Sequence, residues 1–443
     1  MNSEQRERLA HQVLAYSTAE RTEVVVTTEN FALTRFTHNA IHQNVAQHDV
    51  VVSIRAIIGG KTGVVRTNRL DEASLRQSVR RASEIAALSP DDPDQPKLPS
   101  GGTAVTPQGA FVPQTAQASA QMRASMSAEI FAQAQAADLW AAGYVQTGES
   151  GVSIVNTSGA SASFDGTDTG INVKANGADS SGYAEAYAND IMAVDARAIG
   201  LRAASKAVES ASPQAGDPGA WTVILEPAAF GELVSYIADH FSAQSFHEGS
   251  SFLSDGLGRS YLGENITISD DHANPKSPGM PFDFEGTPTQ RLALIEAGVA
   301  TNIVTDSYWA NKLSRANTGH ALPAPNAYGP QPTHLVISGG EKSTQQLIAE
   351  TKRGLLVSRF WYIRTVDQRR AIVTGMTRDG TFLIENGKVG GGVRNMRFNQ
   401  SILEALRHCE LASELTRTGG YSYSMVVPTA KIDGFTFSSG TDF

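Results

Sequence analysis

Three stretches hold side chains whose types and spacing could do chemistry. His247-Glu248 pairs an imidazole with a carboxylate, as the helix of a thermolysin-like zinc protease does. That chemistry needs a second histidine four residues on, so that both imidazoles share one helix face and the glutamate takes a proton from metal-bound water. Ser251 stands there instead. His-Glu-Gly-Ser-Ser is also a weak helix former, so the pair reads as part of a solvated loop. Asp270-Asp271-His272 follows the apolar run Ile266-Thr267-Ile268 and offers hard and borderline metal donors at a strand end. Turns commonly face such groups to solvent, and that is the expectation here. Gly390-Gly391-Gly392 opens no helix, lacks the amide fan that cradles a phosphate, and reads as a turn.

Other signatures are missing. The chain has no G-x-x-x-x-G-K-[ST], no G-x-S-x-G, no C-x-x-C and no H-E-x-x-H. Cys409 is the single cysteine, which excludes an intrachain disulfide and any cysteine-rich zinc site.

The elements that would position these residues fall into two groups. A first helix after Ser3, with Leu9, Val13, Leu14 and Tyr16 near helical spacing, precedes alternating runs at residues 24–28, 31–37, 40–46, 49–58 and 63–67. Turns are expected at Glu29-Asn30, His38-Asn39 and Gly59-Gly60-Lys61. Asp71 opens a second helix, with Leu75, Val79, Ala82, Ile85 and Ala86 on one face. Pro90, Pro93, Pro96, Pro99 and Pro107 mark residues 89–116 as an irregular connector. A helix over 117–142, short strands at 142–149, 152–157, 161–167, 171–178 and 182–187, and a helix over 191–211 complete a first domain, 1–211. The run from Ser212 to Gly219 carries the domain boundary. The second domain, 220–443, starts with a strand at 221–225 and a helix from Pro227 to about Ala243. Strands then dominate, apart from helices at 343–353 and 401–406. The fold class is α+β, with a helix-flanked antiparallel sheet domain followed by a strand-rich, antiparallel β domain.

Composition narrows the partners. At 443 residues the chain exceeds one core of roughly 100–200 residues, and 41% hydrophobic with 18% charged residues is ordinary for a soluble protein. The formal charge is −9 and the densest basic stretch, residues 76–81, is spaced as a solvated helix face. Nucleic acids and anionic membranes are therefore disfavoured partners. No run nears the roughly 18 apolar residues of a membrane span, and the polar N-terminus lacks an apolar leader core, which predicts a cytoplasmic location.

Several motifs run in order across nearly the whole chain. Val50-Val51-Val52-Ser53-Ile54-Arg55, Gly59-Gly60-Lys61-Thr62-Gly63, Arg66-Thr67-Asn68 and a helix with Arg81-Ala82 come first. This succession resembles the N-terminal domain of the TldD/PmbA family: a strand ending in arginine, a glycine hairpin, a Thr-Asn strand end and an alanine-rich helix. Phe284-Glu285-Gly286-Thr287-Pro288-Thr289-Gln290 is similar to the family's E-G-T-P-x-Q loop, and Leu294-Ile295-Glu296-Ala297-Gly298 to the L-I-E-N-G turn that follows it. Phe382-Leu383-Ile384-Glu385-Asn386-Gly387-Lys388-Val389 repeats that turn. Pro428-Thr429-Ala430-Lys431-Ile432 resembles the closing strand.

The resemblance implies a metalloprotease relative whose own site is degenerate. In the catalytic TldD branch, a helix motif H-E-x-x-x-H and a cysteine near the C-terminus hold zinc. On this chain the helix would be residues 230–240, with Ser235 at the first histidine, Tyr236 at the glutamate and only His240 surviving. The cysteine position falls near Thr416, within residues 414–420, and Cys409 lies seven residues early, apparently on a helix. One imidazole does not hold zinc, and without the glutamate the general base is gone too. By itself His240 reads as a packed helix residue. The resemblance thus implies a TldE/PmbA-like subunit with no catalytic residue and no metal of its own. Its partner would be a TldD-like chain bearing the zinc, in a heterodimer that processes unfolded peptides; alone, the chain could pair as a homodimer. His240, Glu285, Gly286, Thr287 and Pro288 are the candidates for lining the peptide cavity. Two alternatives stand beside this. One is a peptidase with a relocated metal site drawn from His240, His247, Glu248, Asp270, Asp271 and His272. The other is a free-standing peptide-binding or modulatory protein, in keeping with the old family label "modulator of DNA gyrase".

Overall fold

The computed structural model describes residues 1–419 and 424–441. Helix α1 (Ser3–Leu14) is capped by Asn2 rather than Ser3. The Asn2 side chain accepts from the Gln5 N–H, and the Gln5 side chain answers the Asn2 N–H. Strands β1 (Arg21–Thr37), β2 (Ala40–Ile58) and β3 (Lys61–Thr67) form a meander. His38 and Asn39, both at positive φ, make the tight turn between the first two. The chain then runs through α2 (Glu72–Leu88), capped by Asp71 as expected. The connector that follows carries the one-turn helix α3 (Pro113–Ala116), and α4 (Ala120–Ala136) comes after it. Strands β4 (Trp140–Asn156), β5 (Ser161–Asn176) and β6 (Ser181–Ala188), then α5 (Ala196–Glu209), close the first half.

The sheet order is β3-β2-β1-β4-β5-β6. Its strands are fewer and longer than the sequence predicts. No turn forms at Glu29-Asn30: Glu29 pairs with Asp49 and Asn30 with His48 in an unbroken ladder. The polar residues that looked like breaks are cross-strand partners, as in the Asn30 amide that donates to Glu149 at 3.0 Å. Alternation then gives the sheet two different faces. Val24, Val26, Val52 and Ile54 pack under α1 and α2, while Ile171, Val173 and Ala175 pack under α4 and α5. The opposite face presents Tyr144, Asn172, Tyr183, Glu185 and Tyr187 to the C-terminal half.

That half starts with β7 (Gly219–Leu225) and α6 (Pro227–Ser235), then α7 (Ala243–His247). It continues through β8 (Ile268–Asp270), β9 (Leu292–Glu296), β10 (Val299–Ala300), α8 (Ser307–Lys312) and β11 (Leu335–Ile337). Helix α9 (Thr344–Ala349) stops short of Arg353, where β12 (Arg353–Asp367) starts; β13 (Ile372–Glu385), β14 (Lys388–Gly392) and β15 (Met396–Ser401) follow. Helix α10 (Ile402–Arg407), β16 (Cys409–Gly419) and β17 (Ser424–Gly440) end the chain's regular structure. Among the described residues its eleven strands join one sheet, mostly antiparallel, with β7 parallel to β12 and β11 parallel to β17. Its centre is aromatic: Phe398 packs 4.7 Å from Phe360 and 5.2 Å from Phe435, ring to ring. Such pairs add about 0.5–1.5 kcal/mol beyond their burial.

Two local expectations are corrected here. The helix from Pro227 does not run to Ala243. The Ser235 hydroxyl turns back to the Glu232 carbonyl at 2.7 Å, and the next amides bond three residues back instead of four, Ile237 to Val234 and His240 to Ile237. The helix therefore ends at Ser235, and residues 238–241 form a separate tight turn. Cys409 is not helical either: it begins β16 and is buried. Among the described residues no helix is long and apolar enough to cross a membrane.

Candidate functional site

The polar face of the first sheet, α6 and β12 enclose a cavity of about 610 Å³. Period-two alternation on β6 aims Tyr183, Glu185 and Tyr187 into it together, and Tyr144 and Asn172 join from β4 and β5. Glu232, Ser235 and Tyr236 line it from α6 and the residue that caps it, and residues 359–361 from β12. Glu185 is tied down: the hydroxyls of Tyr183 and Thr418 each donate to one of its carboxylate oxygens. The Asn172 amide donates to Tyr183 Oη at 2.6 Å, and the Tyr144 and Tyr187 hydroxyls meet at 3.1 Å. Burial raises both acids above the usual carboxylate range, Glu232 to about 7. Among the described residues one cation, Arg359, lines the cavity. The Arg359 guanidinium lies 4.5 Å from the Tyr183 ring centre and 5.1 Å from that of Trp361, with Nε 3.5 Å from Asp379.

The degenerate metal positions are scattered around this cavity and do not converge in it. The Ser235 hydroxyl is spent on its own helix, and the Tyr236 hydroxyl donates to the Ile363 carbonyl at 2.7 Å. His240 sinks into the core, 1% exposed. Its Nδ1 accepts the Phe252 N–H at 3.1 Å, its ring lies 4.8 Å from Phe252, and desolvation lowers its pKa to about 4. Thr416 is exposed on β16 opposite Val427, and Gly420, the end of the stretch expected to hold the lost cysteine, lies outside the described residues. A zinc ion does not fit this donor set: two hydroxyls committed elsewhere and one buried imidazole already accepting a hydrogen bond. Among the described residues no three His, Cys, Asp or Glu side chains group to hold a metal.

Nor are the donors of a relocated site brought together. His247 and Glu248 stand exposed at the end of short helix α7, not in a loop, with Glu248 accepting from Gln244 at 3.0 Å. Asp270, expected to face solvent, is 1% exposed. It accepts the His334 N–H at 2.8 Å and sits 3.4 Å from His320 Nε2, which the sequence could not place beside it. Asp271 and His272 stay half-buried in the following turn.

Glu285, Gly286, Thr287 and Pro288 lie away from the cavity and join the two halves instead. Asp283 accepts the N–H groups of Glu285, Thr287 and Ala321 at 2.9–3.0 Å, which folds the loop. Gly286 adopts φ +78, where a side chain would be strained, against Ala160 of the first half. Glu285 accepts from Ser307 N–H at 3.0 Å and from Arg55 at 3.1 Å, and Arg55 also holds Glu23 at 2.8 Å.

A helix-backed sheet closing a cavity against a second, larger sheet and a short helix defines a two-part α+β protein. Residues 218–439 match the family model for the PmbA/TldA metallopeptidase C-terminal domain, and residues 22–86 match that for metallopeptidase domain 1. The chain belongs to the PmbA/TldD family. It is 30% identical over 210 residues to metalloprotease PmbA of Escherichia coli O157:H7, covering 46% of this chain and 43% of that one. The match thus spans less than half the length of that relative. The fold is shared with TldE from Thermococcus kodakarensis at TM-score 0.87 and 20% identity, over 98% of this chain and 99% of that one. It is shared equally with a Thermotoga maritima protein described as a candidate modulator of a DNA gyrase, at TM-score 0.86 and 19% identity, over 98% and 100%.

Proposed function

We propose that this chain is a non-catalytic, TldE-like subunit of a cytoplasmic zinc metalloprotease complex, paired with a TldD-like chain that carries the metal. Supporting this, Ser235 and Tyr236, which the family resemblance sets at the zinc-ligand and general-base positions, spend their hydroxyls on backbone carbonyls, while His240 is buried in the core. What remains is a cavity wall. Its polar, aromatic lining suits an unfolded peptide, and the outer edge of β2 adds a place for extended chain. Among the described residues, 40–51 of β2 pair with β1 on one side and with no strand on the other, since β3 pairs only with residues 52–58. An open edge of this kind accepts main-chain hydrogen bonds with little regard to sequence.

Reconstitution tests the proposal. The chain alone should not cleave an unfolded peptide, whereas a mixture with a TldD-like chain bearing H-E-x-x-x-H should, and a chelator should abolish the cleavage. Chelator-sensitive cleavage by the lone chain would refute it.

A further inference from the structure

The cavity holds more acid than the chain itself neutralises. Among the described residues, Glu185, Glu232 and Asp239 line it with Arg359 as the one cation. Arg359 also lies 3.5 Å from Asp379, a residue 3% exposed that holds Lys174 at 3.0 Å and has Arg378 at 3.9 Å. Among the described residues neither Glu185 nor Glu232 makes an ion pair. Glu232 faces Arg359, Glu185 and the Phe360 N–H, and Tyr236 stands beside it with Arg364 beyond. Around these acids stand the rings of Tyr144, Tyr187 and Trp361, and Trp361 is 46% exposed. Arg359, held between Tyr183 and Trp361, shows that the lining accommodates a cation on aromatic faces.

We propose that this cavity recognises a cationic group of a bound peptide, a basic side chain or the N-terminal ammonium, with Glu185 and Glu232 as counter-ions and Tyr144, Tyr187 and Trp361 as walls. The inference rests on the peptide-holding role above and names the chemistry held. A cation supplies the partner that two half-buried carboxylates lack, and its arrival favours the ionised form of Glu232. An anionic peptide end would meet the same acids and be repelled.

Calorimetry on the full chain separates the sources with three tripeptide amides. One is acetylated and carries lysine, one is alanine-only with a free amino end, and one is acetylated and neutral. At least one cationic probe should bind about tenfold tighter than the neutral one, and which one it is identifies the group recognised. The lysine probe stays charged throughout. If it is the one held, its affinity should rise about tenfold from pH 6 to pH 8 as Glu232, near 7, ionises, and Glu232→Gln should flatten that rise. Glu185→Gln, checked for folding by circular dichroism, provides the second variant and should also lose the preference. Equal binding of all three probes overturns this inference and leaves the peptide-holding role intact. No binding by any of them overturns both.

Discussion

Among the places where the two halves of the chain meet through acids, two are built in different ways. At the loop around Glu285, the buried carboxylates are bonded within the chain, by a guanidinium or by backbone N–H groups, while burial still raises Asp283 to about 8 and Asp306 to about 6. Arg55 bridges Glu23 and Glu285, Asp283 gathers three backbone N–H groups, and Asp306 caps α8 through the Trp309 N–H at 2.8 Å. In the cavity, Glu185 has two hydroxyls and the Gly419 N–H, Glu232 has the Phe360 N–H, and among the described residues neither has a charged partner at bonding distance. Charges answered within the chain hold structure together; charges left open are where a ligand can contribute. The family's sequence motif therefore marks the latch between the halves, and the open chemistry lies elsewhere.

Mutations can break this contrast or sharpen it. Arg55→Met removes the single cation between two buried carboxylates, and urea unfolding should show a loss of about 3–5 kcal/mol. A loss below about 1 kcal/mol would mean that the latch is not a latch. His240→Ala comes next, at about 2–4 kcal/mol, because it opens a core site and orphans the Phe252 N–H. A chelator should leave both wild type and variant unmoved. The wild-type contribution has a pH signature as well. With the folded value lowered from 6.5 to about 4, it is complete above 6.5 and fades as the pH falls toward 4.

Glu232→Gln should give the smallest effect, and one of opposite sign. Burial raises this acid from 4.5 to about 7, so between those values the folded chain keeps a proton that the unfolded chain has released. Wild-type stability falls as the pH climbs through that window and stays lower above it. The glutamine variant escapes the fall and should gain up to about 2.5 kcal/mol on the wild type in going from pH 5 to pH 8, read from melting curves. If neutralising Glu232 destabilises the chain as neutralising Arg55 does, the contrast between latch and cavity is lost.

Local chemistry was readable from the residues where it acts within a few positions. His38-Asn39 does turn a hairpin, Asp71 does cap α2, and the Asn386-Gly387 turn does join β13 to β14. The break after Ser235 was hidden because apolar spacing continues through Ile237 and Phe241; it depends on a serine hydroxyl competing for a carbonyl. Asp270 looked like a solvated turn because His320 and His334, which enclose it, lie fifty and more residues on. The cavity was missed for the same reason, with Glu185 and Glu232 on different halves. One signal for it was present: Tyr183, Glu185 and Tyr187 alternate along a strand, which puts an acid between two aromatics on one face.

The metal content of the purified chain tests the central claim most directly. After equilibration with zinc and removal of the loosely held ion, mass spectrometry for metals should find no stoichiometric zinc, in wild type and His240→Ala alike. One zinc per chain, lost on replacing His240, would show that the core imidazole is a ligand after all and that the subunit carries a site of its own.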